Sequence, residues 1–86
     1  MPSSLYSDEY VAFVDALVDV RRGLGVTQDE LAGRLQKPQS FVSKSERRQR
    51  RIDVVEFIAI AEALGQDPAG LLERLRGKPA AGREGE

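Results

Sequence analysis

Apolar positions along this chain recur at helical spacing, and turn residues divide them into five runs. Val14, Leu17, Val18 and Arg21 stand three and four residues apart, so one stripe faces a core, with Tyr10 and Phe13 extending it sideways. Ser7 suits the cap of this first helix, with Asp8 and Glu9 favourably placed in its first turn. Gly23 and Gly25 end it; with no strand before them they read as a helix stop and not as a dinucleotide loop. Thr27-Gln28-Asp29-Glu30 is a capping box that starts a short second helix with Leu31, Ala32 and Leu35 on its buried side. Gln36-Lys37-Pro38 breaks that helix, since proline cannot continue it and biases Lys37 away from helical angles.

A third helix is predicted from near Gln39, with Phe41, Val42 and Ser45 inward and Gln39, Ser40, Ser43, Lys44 and Arg47 directed elsewhere. Residues 47–52 are too polar for a core and read as a loop. Asp53-Val54-Val55-Glu56 repeats the cap-and-glutamate pattern and starts a fourth helix that runs to Leu64, with Gly65 as its stop. Val54, Val55, Phe57, Ile58, Ile60, Ala61 and Leu64 give this helix a wide apolar arc, which predicts a central element touched by several neighbours. Asp67 and Pro68 open a fifth helix docked by Leu71, Leu72 and Leu75. The stretch 78–86 has no periodicity and is expected to be disordered. The fold class predicted is all-α, with one five-helix domain over residues 1–77.

Composition narrows the chemistry. The chain has 86 residues with no cysteine and no histidine, which excludes disulfides, thiolate metal sites and a cysteine nucleophile, and removes the commonest general base. Ser43 and Ser45 therefore have no imidazole to activate them, and the paired acids are accounted for as helix caps. No enzyme activity, cofactor or metal is expected. There is no secretory-type N-terminus and no apolar run near the roughly 18–20 residues that span a bilayer, so an intracellular, soluble domain is expected.

Charge changes the picture more. The formal net charge is only −1, but it is unevenly distributed. Residues 1–33 sum to −4 and residues 52–86 to −3, whereas residues 34–51 carry seven cationic side chains against Glu46 alone, a net +6. Such a block suits a phosphate-binding surface, and it sits on a helix, a short break and a second helix.

The ordered series Leu17-x-x-x-Arg21, Gly25-Val26-Thr27-Gln28-x-Glu30-Leu31-Ala32, Phe41-Val42-Ser43-Lys44-x-Glu46 and Phe57-Ile58-x-Ile60-Ala61-x-Ala63-Leu64-Gly65 resembles the Xre/Cro/cI-type helix-turn-helix regulators over about residues 10–75. The resemblance implies a compact lambda-repressor-like fold with the helix-turn-helix at helices 2 and 3. It also implies a transcriptional regulator, a repressor acting as a homodimer on double-stranded DNA in a prokaryotic or phage-encoded, cytoplasmic, nucleoid-associated setting. Carried over position by position, it makes Gln39, Ser40, Ser43 and Lys44 the base-reading residues of a helix in the major groove. Gln28 becomes a phosphate anchor, Arg47, Arg48, Arg50 and Arg51 phosphate clamps, and Arg21 and Glu46 a structural salt bridge. The dimer surface is left open between the fourth and fifth helices and the Tyr6, Tyr10 and Phe13 group. Two other readings stay open as well: an antitoxin whose tail folds on a toxin partner, and an interaction module that does not bind DNA.

Three positions differ from the family pattern. Gln36 stands where the turn usually has glycine, which predicts a non-glycine residue at positive φ. Arg48 stands where glycine commonly ends the third helix, and Ser45 replaces a larger apolar residue, which predicts looser packing there.

Overall fold

Local capping chemistry sets most of the helix boundaries. The computed structural model describes residues 7–76, and within them runs α1 (Asp8–Gly23), α2 (Gln28–Leu35), α3 (Gln39–Glu46), α4 (Val54–Ala63) and α5 (Pro68–Arg76), with no strand among the described residues. The Ser7 hydroxyl accepts the Tyr10 amide at 3.1 Å. In α2 the Glu30 amide donates to Thr27 Oγ1 at 3.0 Å while Glu30 Oε1 accepts the Thr27 amide at 2.9 Å. The same reciprocal pair joins Asp53 and Glu56 at the start of α4, at 2.7 and 3.0 Å. Asp67 Oδ2 takes the Gly70 amide at 2.8 Å. Each such cap stabilises its helix by about 1 kcal/mol. By contrast, α3 begins at Pro38 with no side-chain capping bond, so its position depends on what other elements supply.

The two turns beside α3 use left-handed residues that are not glycine. Gln36 has φ 59° and ψ 43°, and the amides of Gln36 and Lys37 close the α2 C-terminus on the carbonyls of Gly33 and Ala32. Arg48 has φ 61°, and the amides of Arg48 and Gln49 likewise return to Ser45 and Lys44. A side chain in this region costs on the order of 1–2 kcal/mol, which the two closing hydrogen bonds offset.

The core gathers Leu17 and Val20 from α1, Leu31 from α2, Val42 from α3, Ile60 from α4 and Leu71 from α5. Helix α2 packs on α3 and α4, while α1 and α5 close the other side. Ser45 is 2% exposed, and a cavity of about 20 Å³ remains beside it, lined also by Leu17, Phe41, Ile52 and Ile60. Phe13 packs on Phe57 with ring centroids 5.6 Å apart, and the Tyr10 hydroxyl accepts the Ile52 amide at 3.0 Å, tying α1 to α4 and to the loop before it. None of the described helices is long and apolar enough to cross a membrane.

The wide apolar arc of the fourth helix is only half used. Phe57, Ile60 and Ala61 are buried, but Val54, Val55 and Ile58 are 74%, 75% and 40% exposed, and Leu72 on α5 is 47% exposed. The reason is geometric: α2 and α5 cover one flank of α4, and no further described element reaches the opposite one. The expectations for Tyr6 and for the tail at 78–86 lie outside the described residues.

Replacing Gln36 with glycine removes the left-handed penalty and leaves the turn hydrogen bonds intact. Urea unfolding is expected to show Gln36→Gly more stable by about 0.5–1 kcal/mol, net of glycine's larger unfolded-state entropy.

Candidate nucleic-acid interface

A buried ion pair joins α1 to the end of α3. Arg21 donates from Nε to Glu46 Oε2 at 2.6 Å and from Nη2 to Glu46 Oε1 at 2.9 Å, and its Nη1 donates to the Val26 carbonyl at 2.7 Å. The two side chains are 7% and 14% exposed. A forked guanidinium–carboxylate pair fixes orientation as well as distance, because both N–H bonds must align at once. The third bond holds the loop that leads into α2, so one arginine sets three segments.

The network continues outward. Glu46 Oε1 also accepts Gln28 Nε2 at 2.8 Å, and Gln28 Oε1 accepts Gln39 Nε2 at 2.6 Å. Gln28 and Gln39 are the first residues of α2 and α3. The chain of bonds Arg21–Glu46–Gln28–Gln39 therefore runs from the core to the surface and secures α3 at both ends. Because Gln28 donates to Glu46, its oxygen must face Gln39, and Gln39 must present its own nitrogen to that oxygen. The Gln39 carbonyl oxygen and a second N–H remain to meet another molecule, one acceptor and one donor side by side.

The rest of the face is open. Gln39, Ser40 and Lys44 are exposed and Ser43 is half-buried. Lys44 has no partner among the described residues, and the Ser43 hydroxyl reaches only the Ser40 carbonyl at 3.4 Å. Helical spacing sets Gln39, Ser40, Ser43 and Lys44 on one side of α3, opposite buried Val42 and Ser45.

The four arginines after α3 differ in their surroundings. Arg47 is exposed and touches Gln49 at 3.4 Å. Arg48 reaches Asp15 at 3.4 Å, a pair whose side chains are 34% and 65% exposed. The Arg51 guanidinium carbon lies over the Tyr10 ring, 4.2 Å from its centroid, and the side chain is otherwise exposed. Arg50 is different: it forks onto Glu56, Nη1–Oε1 at 3.0 Å and Nη2–Oε2 at 2.7 Å, and lies 4.5 Å from the Phe41 ring centroid. The hydrogen bonds from Arg50 hold the Glu56 carboxyl below the usual carboxylate range, against the opposing effect of burial, and the same bonds raise Arg50.

Among the sequence-predicted residues, the structure thus brings together Arg21, Glu46, Gln28 and Gln39, groups Ser40, Ser43 and Lys44 on the adjoining surface, and turns Arg50 away to Glu56. Three features go beyond what the motif indicates: the double use of Gln28, the Arg50–Glu56 fork and the placement of Arg51 over Tyr10. Only the fork leaves a trace in the sequence, an arginine three residues before a capping aspartate whose partner glutamate has one oxygen to spare. No cluster of three or more potential metal-ligating side chains occurs among the described residues.

A helix-turn-helix family model matches residues 17–71, from the middle of α1 to the start of α5. Among solved structures, the chain is similar to an XRE-family like protein from Pseudomonas syringae pv. tomato str. DC3000, with 44% identity and a TM-score of 0.77 over 86% of this chain and 90% of that one. No curated protein matches.

Removing one side of the buried pair strands the other. Arg21→Met is expected to lower stability by about 3 kcal/mol in urea unfolding at neutral pH. Glu56 gives a separate acid signature. Its lowered native pKa stabilises the fold above the unfolded value of about 4.3, and this contribution fades as pH falls through the native value. Glu56→Gln should therefore be less stable than wild type at pH 7, with the gap closing in unfolding curves recorded near pH 3.

Proposed function

The chain belongs to the Xre-type helix-turn-helix family of DNA-binding regulators, and from that premise we propose that it is a sequence-specific repressor that reads double-stranded DNA as a homodimer. The observation that carries the reading is the exposed face of α3, bounded by Gln39 and Lys44 and held from behind by the Arg21–Glu46–Gln28–Gln39 chain of bonds. A recognition helix must enter the major groove at one angle to reproduce its contacts, and this network supplies the rigidity.

In this reading α3 lies in the major groove. Gln39 offers an acceptor and a donor in the spacing of adenine N6 and N7, and Lys44 donates to guanine O6 or N7. Ser40 and Ser43 line the groove between them. Gln28 stands at the α2 N-terminus, where helix amides and its remaining N–H meet a phosphate. Arg47, Arg48 and Arg51 supply charge to the flanking backbone, drawing on the +6 of residues 34–51. The acidic remainder of the chain limits adhesion to DNA by other faces.

One module of this size buries too little surface for stringent recognition, which favours two copies on half-sites about 34 Å apart. The surface that supports self-association is the uncovered flank of Val54, Val55 and Ile58 on α4 with Leu72 on α5. It is apolar, and it begins three residues after Arg51, so two-fold pairing here keeps both basic loops near the same DNA. Tyr10 and Phe13 favour this choice by being engaged with Ile52 and Phe57. Repression then follows from occupancy of a promoter by the dimer in the cytoplasm.

The test is binding to a duplex spanning the chain's own promoter region, beside a random duplex, at two salt concentrations. Gln39→Ala and Lys44→Ala are each expected to cost about 1–3 kcal/mol on the promoter duplex and little on the random one. Arg47→Ala/Arg51→Ala should weaken both and flatten the salt dependence by about 0.9 logarithmic units for each phosphate no longer neutralised. Equal affinity of wild type for both duplexes would contradict sequence-specific reading. Val55→Asp changes an exposed side chain, so folding should shift by less than about 0.5 kcal/mol. Sedimentation should nonetheless show a monomer, with promoter affinity down about tenfold or more.

A further inference from the structure

We infer that Arg50 is a positioning residue, which sets the recognition helix through Phe41, Ser45 and Glu56, and not a phosphate clamp like the arginines around it. The inference rests on the DNA-binding reading above and assigns Arg50 a role in selectivity within it.

The guanidinium of Arg50 sits where three elements meet. Its fork onto Glu56 engages the residue that also caps α4, since Glu56 Oε1 accepts both Arg50 Nη1 and the Asp53 amide at 3.0 Å. Nη1 further donates to Ser45 Oγ at 3.3 Å, on the buried side of α3, and that hydroxyl in turn donates to the Phe41 carbonyl at 2.7 Å. The Arg50 guanidinium carbon lies over the Phe41 ring at 4.5 Å from its centroid, and Lys37 Nζ lies over the same ring at 5.4 Å. Arg50 thus touches the first turn of α3, its inward side near the C-terminus and the first turn of α4.

Helix α3 needs such a tie for reasons already visible in the fold. It has eight residues and no side-chain cap. Ser45 borders a cavity of about 20 Å³ lined also by Phe41 and Ile60, so packing on that side of the helix is incomplete. The Arg21–Glu46 pair fixes the α1 side of the helix, and Arg50 fixes the side facing α4. A phosphate role competes with this arrangement. For Nη1 and Nη2 to turn to a phosphate, Arg50, a third exposed, gives up its fork onto Glu56 and leaves that carboxylate without its cation beside the DNA backbone.

The two roles give opposite signs for one substitution. Glu56→Gln keeps an oxygen for the Asp53 amide but removes the charge that holds Arg50. With Arg50 as a positioning residue, affinity for the promoter duplex falls roughly tenfold, as for other hydrogen bonds to charged groups, while random-duplex affinity stays within about twofold. Arg50→Lys, which cannot fork, gives the same pattern, and Arg50→Met gives it with an unchanged salt slope. A rise in affinity for both duplexes in Glu56→Gln, or a slope flattened by about 0.9 in Arg50→Met, would overturn the inference in favour of a clamp. If wild type fails to discriminate the duplexes, the DNA reading fails separately, and amide shifts of the free protein decide the positioning claim. Glu56→Gln is expected to move the amides of Phe41, Val42 and Ser45, on a different helix from the substitution. Changes confined to the first turn of α4 would sink it.

Discussion

The buried pair of Arg21 and Glu46 is the constraint on which the binding surface depends. A charge taken out of water must be matched closely or it destabilises the fold, so the pair tolerates only one relation between α1 and the end of α3. Arg21 also donates to the Val26 carbonyl, and Glu46 also accepts from Gln28. These bonds add direction to the entry to α2, where Val26 is also held in the core, and, through Gln39, to the entry to α3. The polar network contributes direction, whereas Leu17, Leu31, Val42 and Ile60 contribute most of the burial. That division suits a protein whose α3 is too short to hold its own angle.

The basic run divides by its surroundings. Seven cations in residues 34–51 look alike in a charge count, yet their surroundings separate them. Lys44 and Arg47 are open to solvent, Arg48 reaches Asp15 at long range, and Arg51 is exposed beside Tyr10. Arg50, exposed to the same extent as Arg48, is held by its fork onto Glu56 and lies over Phe41. The four arginines share one loop, in which the Arg50–Glu56 fork ties the chain ahead of α4 to the first turn of that helix.

Most of the fold is legible in the sequence because it is written in local chemistry. The capping boxes of Thr27 and Asp53, the left-handed glycines Gly25 and Gly65 and the break at Pro38 each act within one turn, and the helices follow them. The positive φ at Gln36 can be read as well, from a residue occupying a glycine's place. The apolar arc of α4 reads as wholly internal and is not, since periodicity records that a face avoids water and says nothing about which molecule covers it. Val54 and Val55 differ from Phe57 and Ile60 only in what lies opposite. At the binding surface, the residue types and the helix that bears them can be read, but their hydrogen bonds cannot. Gln28 meets both Glu46 and Gln39 across sequence separations of 18 and 11 residues, and the left-handed turn at Arg48 lies just ahead of the Arg50–Glu56 fork.

Mapping backbone amide shifts while a promoter-spanning duplex is titrated into the labelled protein tests the central claim most directly. The largest changes are expected at Gln28, at Gln39, Ser40, Ser43 and Lys44, and through the loop of Arg47, Arg48 and Arg51. The Arg21 Nε–H resonance is expected to persist unshifted, because the buried pair is already formed before DNA arrives. Changes centred on α4 and α5 without the α3 face, or loss of the Arg21 resonance on binding, would contradict a preformed recognition helix held by that pair.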